Sequence, residues 1–410
     1  MKILFVAEVS IAQVIGGAER VLREQALGLA SRGHAVRVLT RAGEQDRESR
    51  VVVEGVEENR YPVDRQTAVS FFLSSARNAR RAVQSLAHAS RPDVLLVHQA
   101  LPGLAVSGCL PGVPSVYTCL SLAHEEFDTR NRPPAGMGGG LWHRCQSLAR
   151  RTIERVALTR ARRVIVLSDF MRRRIAECHR VAAERMLLVP AGVDTRIFSP
   201  IPDYRSSRPA LGLTREQFVL FTVRNLVPRM GLDTLLRAMV RVRQTIPHVQ
   251  LLIGGCGPLR SELEAQVKAL DLDGCVRFLG FVPEDALPDY YRAADLFVLP
   301  TAQLEGFGLV TIEALASGTP VLGTPVGATD EILGRLDASL LTAGPDAESM
   351  ATGIEALHRR FTAAPEARAR LAEAGRALVL HDYTWSRHCE QIEAALQQAV
   401  DGRQVPCASG

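Results

Sequence analysis

Glu305 and Glu313 stand in the stretch Pro300-Thr-Ala-Gln-Leu-Glu-Gly-Phe-Gly-Leu-Val-Thr-Ile-Glu-Ala-Leu-Ala-Ser-Gly-Thr-Pro320. An apolar run ending at Pro300 reads as a buried strand. Glu305-Gly306-Phe307-Gly308 reads as a loop, and a helix is expected from near Gly308. A helix start presents unpaired backbone N–H groups and a positive dipole end, which suits phosphate. Gly306 and Gly308 let a ligand approach the backbone closely. At about 1.5 Å rise per residue, Glu313 stands roughly 7 Å along the axis from the helix start. One carboxylate can then meet a sugar and the other a ribose, on opposite sides of a diphosphate. Two glutamates at this spacing also occur as a loop residue and a helix residue paired with an arginine. The local order of strand, glycine loop and helix favours the ligand reading.

These residues need a scaffold, and the chain supplies alternating strands and helices. Strands are expected near 3–7, 36–39, 94–97, 115–118 and 164–167, then near 218–223, 249–253, 276–279, 296–299, 320–323 and 339–341. Helices are expected between them. Such alternation implies parallel sheets covered on both faces. At 410 residues the chain is long enough for two domains. Residues 198–209 hold three prolines and three serines and read as a linker. The expected division is 1–197 as a first Rossmann-like domain, 198–209 as linker and 210–383 as a second Rossmann-like domain. Residues 384–400 are read as a helix returning to the first domain, and 401–410 as a frayed tail. The fold class is therefore α/β, with two facing Rossmann-like domains and a ligand-binding cleft.

With that frame, the sequence resembles the retaining glycosyltransferases of family 4, which have the two-domain GT-B plan and an E-x7-E signature. Glu305 to Glu313 carries the signature. Gly16-Gly17-Ala18-Glu19 is similar to the family's N-terminal glycine loop, and 189–198 to the end of its first domain. Arg224-Asn-Leu-Val-Pro-Arg229-Met230-Gly231 resembles its R-L-x-x-x-K-G loop, and 253–260 its G-x-G-P turn. The resemblance implies a hexosyltransferase using a nucleotide-diphosphate sugar as co-substrate, with no cofactor and no metal. The acceptor would be a hydroxyl of a saccharide, lipid-linked sugar or small metabolite. Arg224 would bind the diphosphate, and the backbone N–H groups of Phe307, Gly308 and Leu309, beside Gly306, would hold sugar and phosphate oxygens. Glu305 would position the hexose and Glu313 the ribose, while Gly16 and Gly17 would allow close approach to phosphate or acceptor.

Two departures stand out. Met230 occupies the place of the family's phosphate-binding lysine; adjacent Arg229 is either a substitute or an ordinary loop residue. Leu120 occupies the place of a frequent active-site histidine. His124 is the nearest replacement, and His98, at a strand end, is another; either also reads as a structural hydrogen-bonding residue. The departures keep open a nucleotide-sugar-binding pseudoenzyme or partner subunit. A phosphorylase is disfavoured, since Lys268 is the only lysine besides Lys2 and lies on a helix among polar residues. A nicotinamide dehydrogenase is disfavoured because Gly254-Gly-Cys-Gly257 does not extend to a dinucleotide fingerprint.

Composition narrows the field further. Hydrophobic residues make up 47% and charged residues 23%, which excludes a mainly disordered chain. Aromatics are 5%, too few for stacking platforms that bind single-stranded nucleic acid, and no nucleic-acid motif accompanies the charge of +5. The eight cysteines form no CxxC pair, which argues for reduced thiols in a cytoplasmic protein rather than zinc or disulfides. No apolar run is long enough for a signal peptide or a membrane span. Between Leu141 and Arg185 twelve arginines face four acidic residues. That bias reads either as solvated helix faces or as a surface resting on the anionic inner face of a membrane.

Overall fold

The computed structural model describes residues 1–44, 46, 48–130 and 137–402. Residues 403–410 of the expected 401–410 tail lie outside these. The chain divides into two compact units, Met1–Ala191 with Trp385–Gly410, and Gly192–Thr384.

In the first unit eight strands form one sheet: β1 (Lys2–Val6), β2 (Ala35–Arg41), β3 (Arg50–Val53), β4 (Val56–Tyr61), β5 (Val94–Val97), β6 (Ser115–Cys119), β7 (Arg163–Val166) and β8 (Met186–Leu188). Their order is β3-β4-β2-β1-β5-β6-β7-β8. The central strands β1 and β5 read as nearly unbroken apolar runs because both faces are buried. Ile3 and Phe5, with Val94 and Leu96, enter one core. Leu4 and Val6, with Leu95 and Val97, enter the other. Ile392 and Leu396 of the helix Trp385–Asp401 close the first of these cores.

The sheet is parallel except at its edge, where β3 runs antiparallel to β4. This hairpin was not expected from the sequence. Its turn is Glu54-Gly55, with φ of 47° and 85°. Two successive positive φ values make the primed turn that matches strand twist. The charged residues of Val56-Glu-Glu-Asn-Arg-Tyr61 hid the alternation, because Glu58 is a buried acid. Its carboxylate accepts from Ser10 Oγ, the Ile11 N–H and Arg60 Nε, and so anchors the loop after β1.

The second unit has an all-parallel sheet of β9 (Phe218–Val223), β10 (Val249–Gly254), β11 (Val276–Gly280), β12 (Leu296–Leu299) and β13 (Val321–Gly323), in the order β11-β10-β9-β12-β13. Strand order reverses between β9 and β12. In open α/β sheets the ligand crevice lies beyond the carboxyl ends of the strands at such a reversal. In the first unit the reversal lies between β1 and β5.

The segment read as a linker is instead packed into the second unit. Phe198 and Arg208 are fully buried. Arg208 Nη2 donates to Asp295 Oδ2 at 2.6 Å, and other guanidinium N–H groups donate to the carbonyls of Ala293 and Gln217. Proline and serine content marked an irregular backbone correctly but said nothing of the buried arginine that ties it down. The strand expected near 339–341 is a 3-10 turn, Ala338–Leu340, with only Leu341 bridged to Gly323.

Candidate active site

Arg224 is the residue after β9, and Thr301 lies two residues after β12. The strand reversal therefore brings them together from 77 positions apart in sequence. Arg224 Nη2 donates to Glu305 Oε2 at 2.5 Å and to Thr301 Oγ1 at 3.1 Å. Thr301 in turn donates its hydroxyl proton to the same Glu305 oxygen at 2.8 Å. All three side chains are buried. Burial acts to raise the Glu305 carboxyl, but the charge and hydrogen bond of Arg224 and the hydrogen bond of Thr301 outweigh it. The carboxyl is held below the ordinary carboxylate range.

The loop leading to Glu305 is braced from the segment after β9. The carbonyl of Arg229 accepts from the N–H groups of Ala302 and Gln303, and Arg229 Nη1 donates to the carbonyl of Leu304 at 3.0 Å. Arg229 is thus a half-buried brace whose charge also favours ionised Glu305. Met230 does not leave a vacancy beside Arg224. Its Sδ accepts from Arg224 Nη2 at 2.8 Å. Gly231 is obligatory here, since its φ is +69° and an added Cβ would strike the Pro300 carbonyl.

Gly308 (φ +86°) caps the helix Leu309–Ala316. Its backbone conformation disfavours any side chain and turns the chain so that Glu305 precedes the helix start. The Phe307 ring is buried against Tyr383, with ring centroids 5.8 Å apart. Leu309 opens the helix and is half-buried, as is Gly306. Glu313 is buried, and its Oε2 accepts from the Tyr291 hydroxyl at 2.9 Å. Tyr291 is itself fully buried among Phe198, Phe221 and Phe297. Three residues around this site carried no motif signal. They are Thr301, Tyr291 and Thr311, whose buried hydroxyl has no partner among the described residues.

The first unit holds the other candidates. Gly16 caps the helix Gly17–Ser31, and its N–H donates to Glu19 Oε2 at 3.1 Å. Its φ of −153° suits any residue, so the fold itself does not require glycine there. His98 follows β5, at the first sheet's strand reversal, but it is buried. Its Nε2 donates to Gln25 Oε1, and Gln25 Nε2 donates to His388 Nε2, each at 2.9 Å. Burial lowers His98 to about 3 and His388 to about 4.

His124, read as the nearest replacement for the active-site histidine, is carried on a helix. It sits buried in the helix Ala123–Arg130, where Nδ1 donates to Glu154 Oε2 at 2.7 Å and His179 Nε2 donates to the same oxygen at 3.1 Å. A buried acid alone would be raised. The two imidazoles and the Ala123 N–H outweigh burial and hold Glu154 below the ordinary carboxylate range. The arrangement fits a brace between three helices better than an acid or base facing a substrate.

His124, Glu154 and His179 bring their ligand atoms within 4.8 Å of one another, as do His124, Glu125 and Cys178. A cation at the first group would force a proton onto His179 Nδ1, a buried atom with no acceptor among the described residues. The hydrogen-bonded form costs less. The sequence also holds Asp271-Leu272-Asp273. Asp271 is 91% exposed and paired with Arg243 at the surface, while Leu272 is fully buried.

Residues 15–197 match the family described as Glycosyltransferase Family 4, and residues 203–378 the family described as Glycosyl transferases group 1. The chain is 31% identical over 250 residues to a GDP-mannose-dependent alpha-(1-6)-phosphatidylinositol monomannoside mannosyltransferase of Mycolicibacterium smegmatis, covering 59% of this chain and 64% of the relative. It is 31% identical over 260 residues to a D-inositol 3-phosphate glycosyltransferase of Mycobacterium leprae, covering 60% and 57%. Each match spans less than two thirds of the relative's own length. Sucrose-phosphate synthase from Thermosynechococcus elongatus has a similar structure, with a TM-score of 0.81 and 22% identity over 98% of this chain and 100% of that one. Anabaena HepE in complex with UDP gives a TM-score of 0.75 and 20% identity, over 97% and 100%. At such identities the likeness carries the fold.

Proposed function

Because this chain belongs to the glycosyltransferases of family 4, we propose that it moves a hexose, with retention, from a nucleotide-diphosphate sugar to a hydroxyl acceptor. The observation that carries the reading is the buried Arg224–Thr301–Glu305 cluster, set at the strand reversal and directly before a helix start. The diphosphate would lie against Arg224 and the N–H groups at the start of Leu309–Ala316. As the bond from the sugar's anomeric carbon to the phosphate oxygen breaks, negative charge grows on that oxygen. Fixed N–H donors and a guanidinium stabilise such charge more in the transition state than in the ground state. The acceptor oxygen would attack from the same face, and its proton would pass to the leaving phosphate. Glu305 would orient the hexose hydroxyls, and Glu313 the ribose. No protein nucleophile and no metal or cofactor enters this route.

The names of the curated relatives suggest GDP-mannose as donor and an inositol phosphate or its lipid as acceptor. Exposed apolar residues on two helices of the first unit support a peripheral contact with anionic membrane. They are Val69 and Leu73 in Ala68–Ala89, and Leu141, Trp142 and Leu148 in Met137–Arg160, which also carries arginines. No helix among the described residues is long and apolar enough to cross a membrane. Sedimentation with phosphatidylglycerol vesicles should exceed that with phosphatidylcholine, and equal recovery would remove this contact from the account.

The experiment for the site itself is nucleotide release from GDP-mannose, UDP-glucose and ADP-glucose by wild type, Glu305→Gln and Arg224→Ala. Both variants should fold and both should lose release by at least about a hundredfold, the scale of removing a charged transition-state contact. Near wild-type release in either would sink the assignment. The alternative, a binding protein without transfer, draws support from Met230, an uncharged side chain beside the diphosphate site. Tight donor binding by the wild type, with neither transfer to an acceptor nor slow hydrolysis, would favour it.

A further inference from the structure

We propose that Thr301 is a positioning residue of this site, fixing the Glu305 carboxylate and the Arg224 guanidinium in one mutual orientation. The proposal rests on the donor-site reading given above. Thr301 is fully buried, two residues past the end of β12, and its single hydroxyl does two things at once. It donates to Glu305 Oε2 at 2.8 Å and accepts from Arg224 Nη2 at 3.1 Å. One hydroxyl therefore fixes both the group assigned to the sugar and the group assigned to the diphosphate.

Its own position is over-determined. The Thr301 carbonyl accepts from Thr324 Oγ1 at 2.6 Å, and the next two N–H groups bond to the Arg229 carbonyl. Gly231 and Gly327 allow the backbones flanking the loop to come within contact of Pro300 and Glu305. An arginine and a glutamate alone can pair through several oxygens and nitrogens; the hydroxyl selects one oxygen, Oε2, for the pair. When a diphosphate takes up Arg224, the threonine hydroxyl still holds Glu305 Oε2. The carboxylate keeps its aim at the sugar while its cation is engaged elsewhere.

A valine in place of Thr301 has the same shape, lacks both hydrogen bonds and leaves the main chain unchanged. Serine restores the hydroxyl without the methyl group. The test is steady-state nucleotide release by the full chain, using whichever of GDP-mannose, UDP-glucose and ADP-glucose the wild type splits. Thr301→Val should lower kcat by about tenfold to a hundredfold, the worth of a hydrogen bond to a charged group. Its KM for the donor should stay within about threefold, because the diphosphate contacts remain. Thr301→Ser should return kcat to within about threefold of wild type. Thermal melts of each variant separate this from loss of fold, and Thr301→Ala replaces the valine variant if that one does not melt cooperatively. Wild-type kcat in the valine or alanine variant would overturn the proposal. So would a rise in KM at unchanged kcat, or a serine variant as slow as the valine one. A wild type that binds none of the three donors would instead overturn the donor-site reading, and this proposal with it.

Discussion

At the residue scale the Arg224 guanidinium is already paired before any donor arrives. Arg224 is matched by Glu305 at 2.5 Å, and its other flank meets a thioether rather than a second cation. A diphosphate must therefore compete with Glu305 for the guanidinium. This makes the two site variants diverge in binding although both lose transfer. Glu305→Gln removes the competing anion, so GDP or UDP should bind at least as tightly as to wild type, by about twofold to tenfold. Arg224→Ala removes the cation and should weaken the same nucleotide. Calorimetry reads both, and weaker nucleotide binding in Glu305→Gln would show that the carboxylate does not oppose the phosphate. Arg224 and Glu305 were legible in the sequence because their types announce charge chemistry. Thr301 and Tyr291 were not, since a buried hydroxyl gains its meaning only from the partner that folding brings to it. His124 stayed open between a substrate contact and a structural hydrogen bond for the converse reason. A histidine near a strand end looks available, and only the burial of Glu154 shows where it points.

At the element scale the strand reversal does most of the positioning. β9 and β12 were readable as apolar runs, but their adjacency depends on topology, which no local pattern states. The β3–β4 hairpin was missed because Glu58 and its neighbours broke the apolar alternation, and the 3-10 turn at Ala338–Leu340 passed for a strand on composition. The His98–Gln25–His388 chain ties β5, the helix Gly17–Ser31 and the helix Trp385–Asp401 by hydrogen bonds between neutral rings. Both histidines titrate near 6.5 when unfolded but near 3 and 4 when folded. Between those limits the unfolded chain binds protons that the folded one refuses. Stability should therefore fall as pH drops from about 6.5 toward 4, by about 1–2 kcal/mol per histidine at pH 5. Urea melts at pH 7 and pH 5 measure this. His98→Asn should flatten the difference, and an equal loss in that variant would assign the effect to other groups.

At the scale of the whole molecule, sequence order and structural unit do not coincide. The helix Trp385–Asp401 belongs with the first unit, and the proline- and serine-rich stretch belongs with the second. The first was anticipated in the sequence reading and the second was not, because a buried Arg208–Asp295 pair leaves no local signature. The glycine loop, the glutamate pair and the arginine after β9 were all legible, and they fall within segments that match the two family descriptions. What the sequence leaves unstated is the donor, since base and sugar are chosen by backbone groups and shape. Isothermal titration of the full chain with GDP-mannose, UDP-glucose and ADP-glucose, wild type beside Arg224→Ala, is the most direct test. The account predicts that one donor binds the wild type and loses at least about tenfold in affinity in the variant, as expected for a lost charge-assisted contact. Binding of none of them, or equal binding by both proteins, would contradict the assignment of Arg224 and Glu305 to a nucleotide-sugar site.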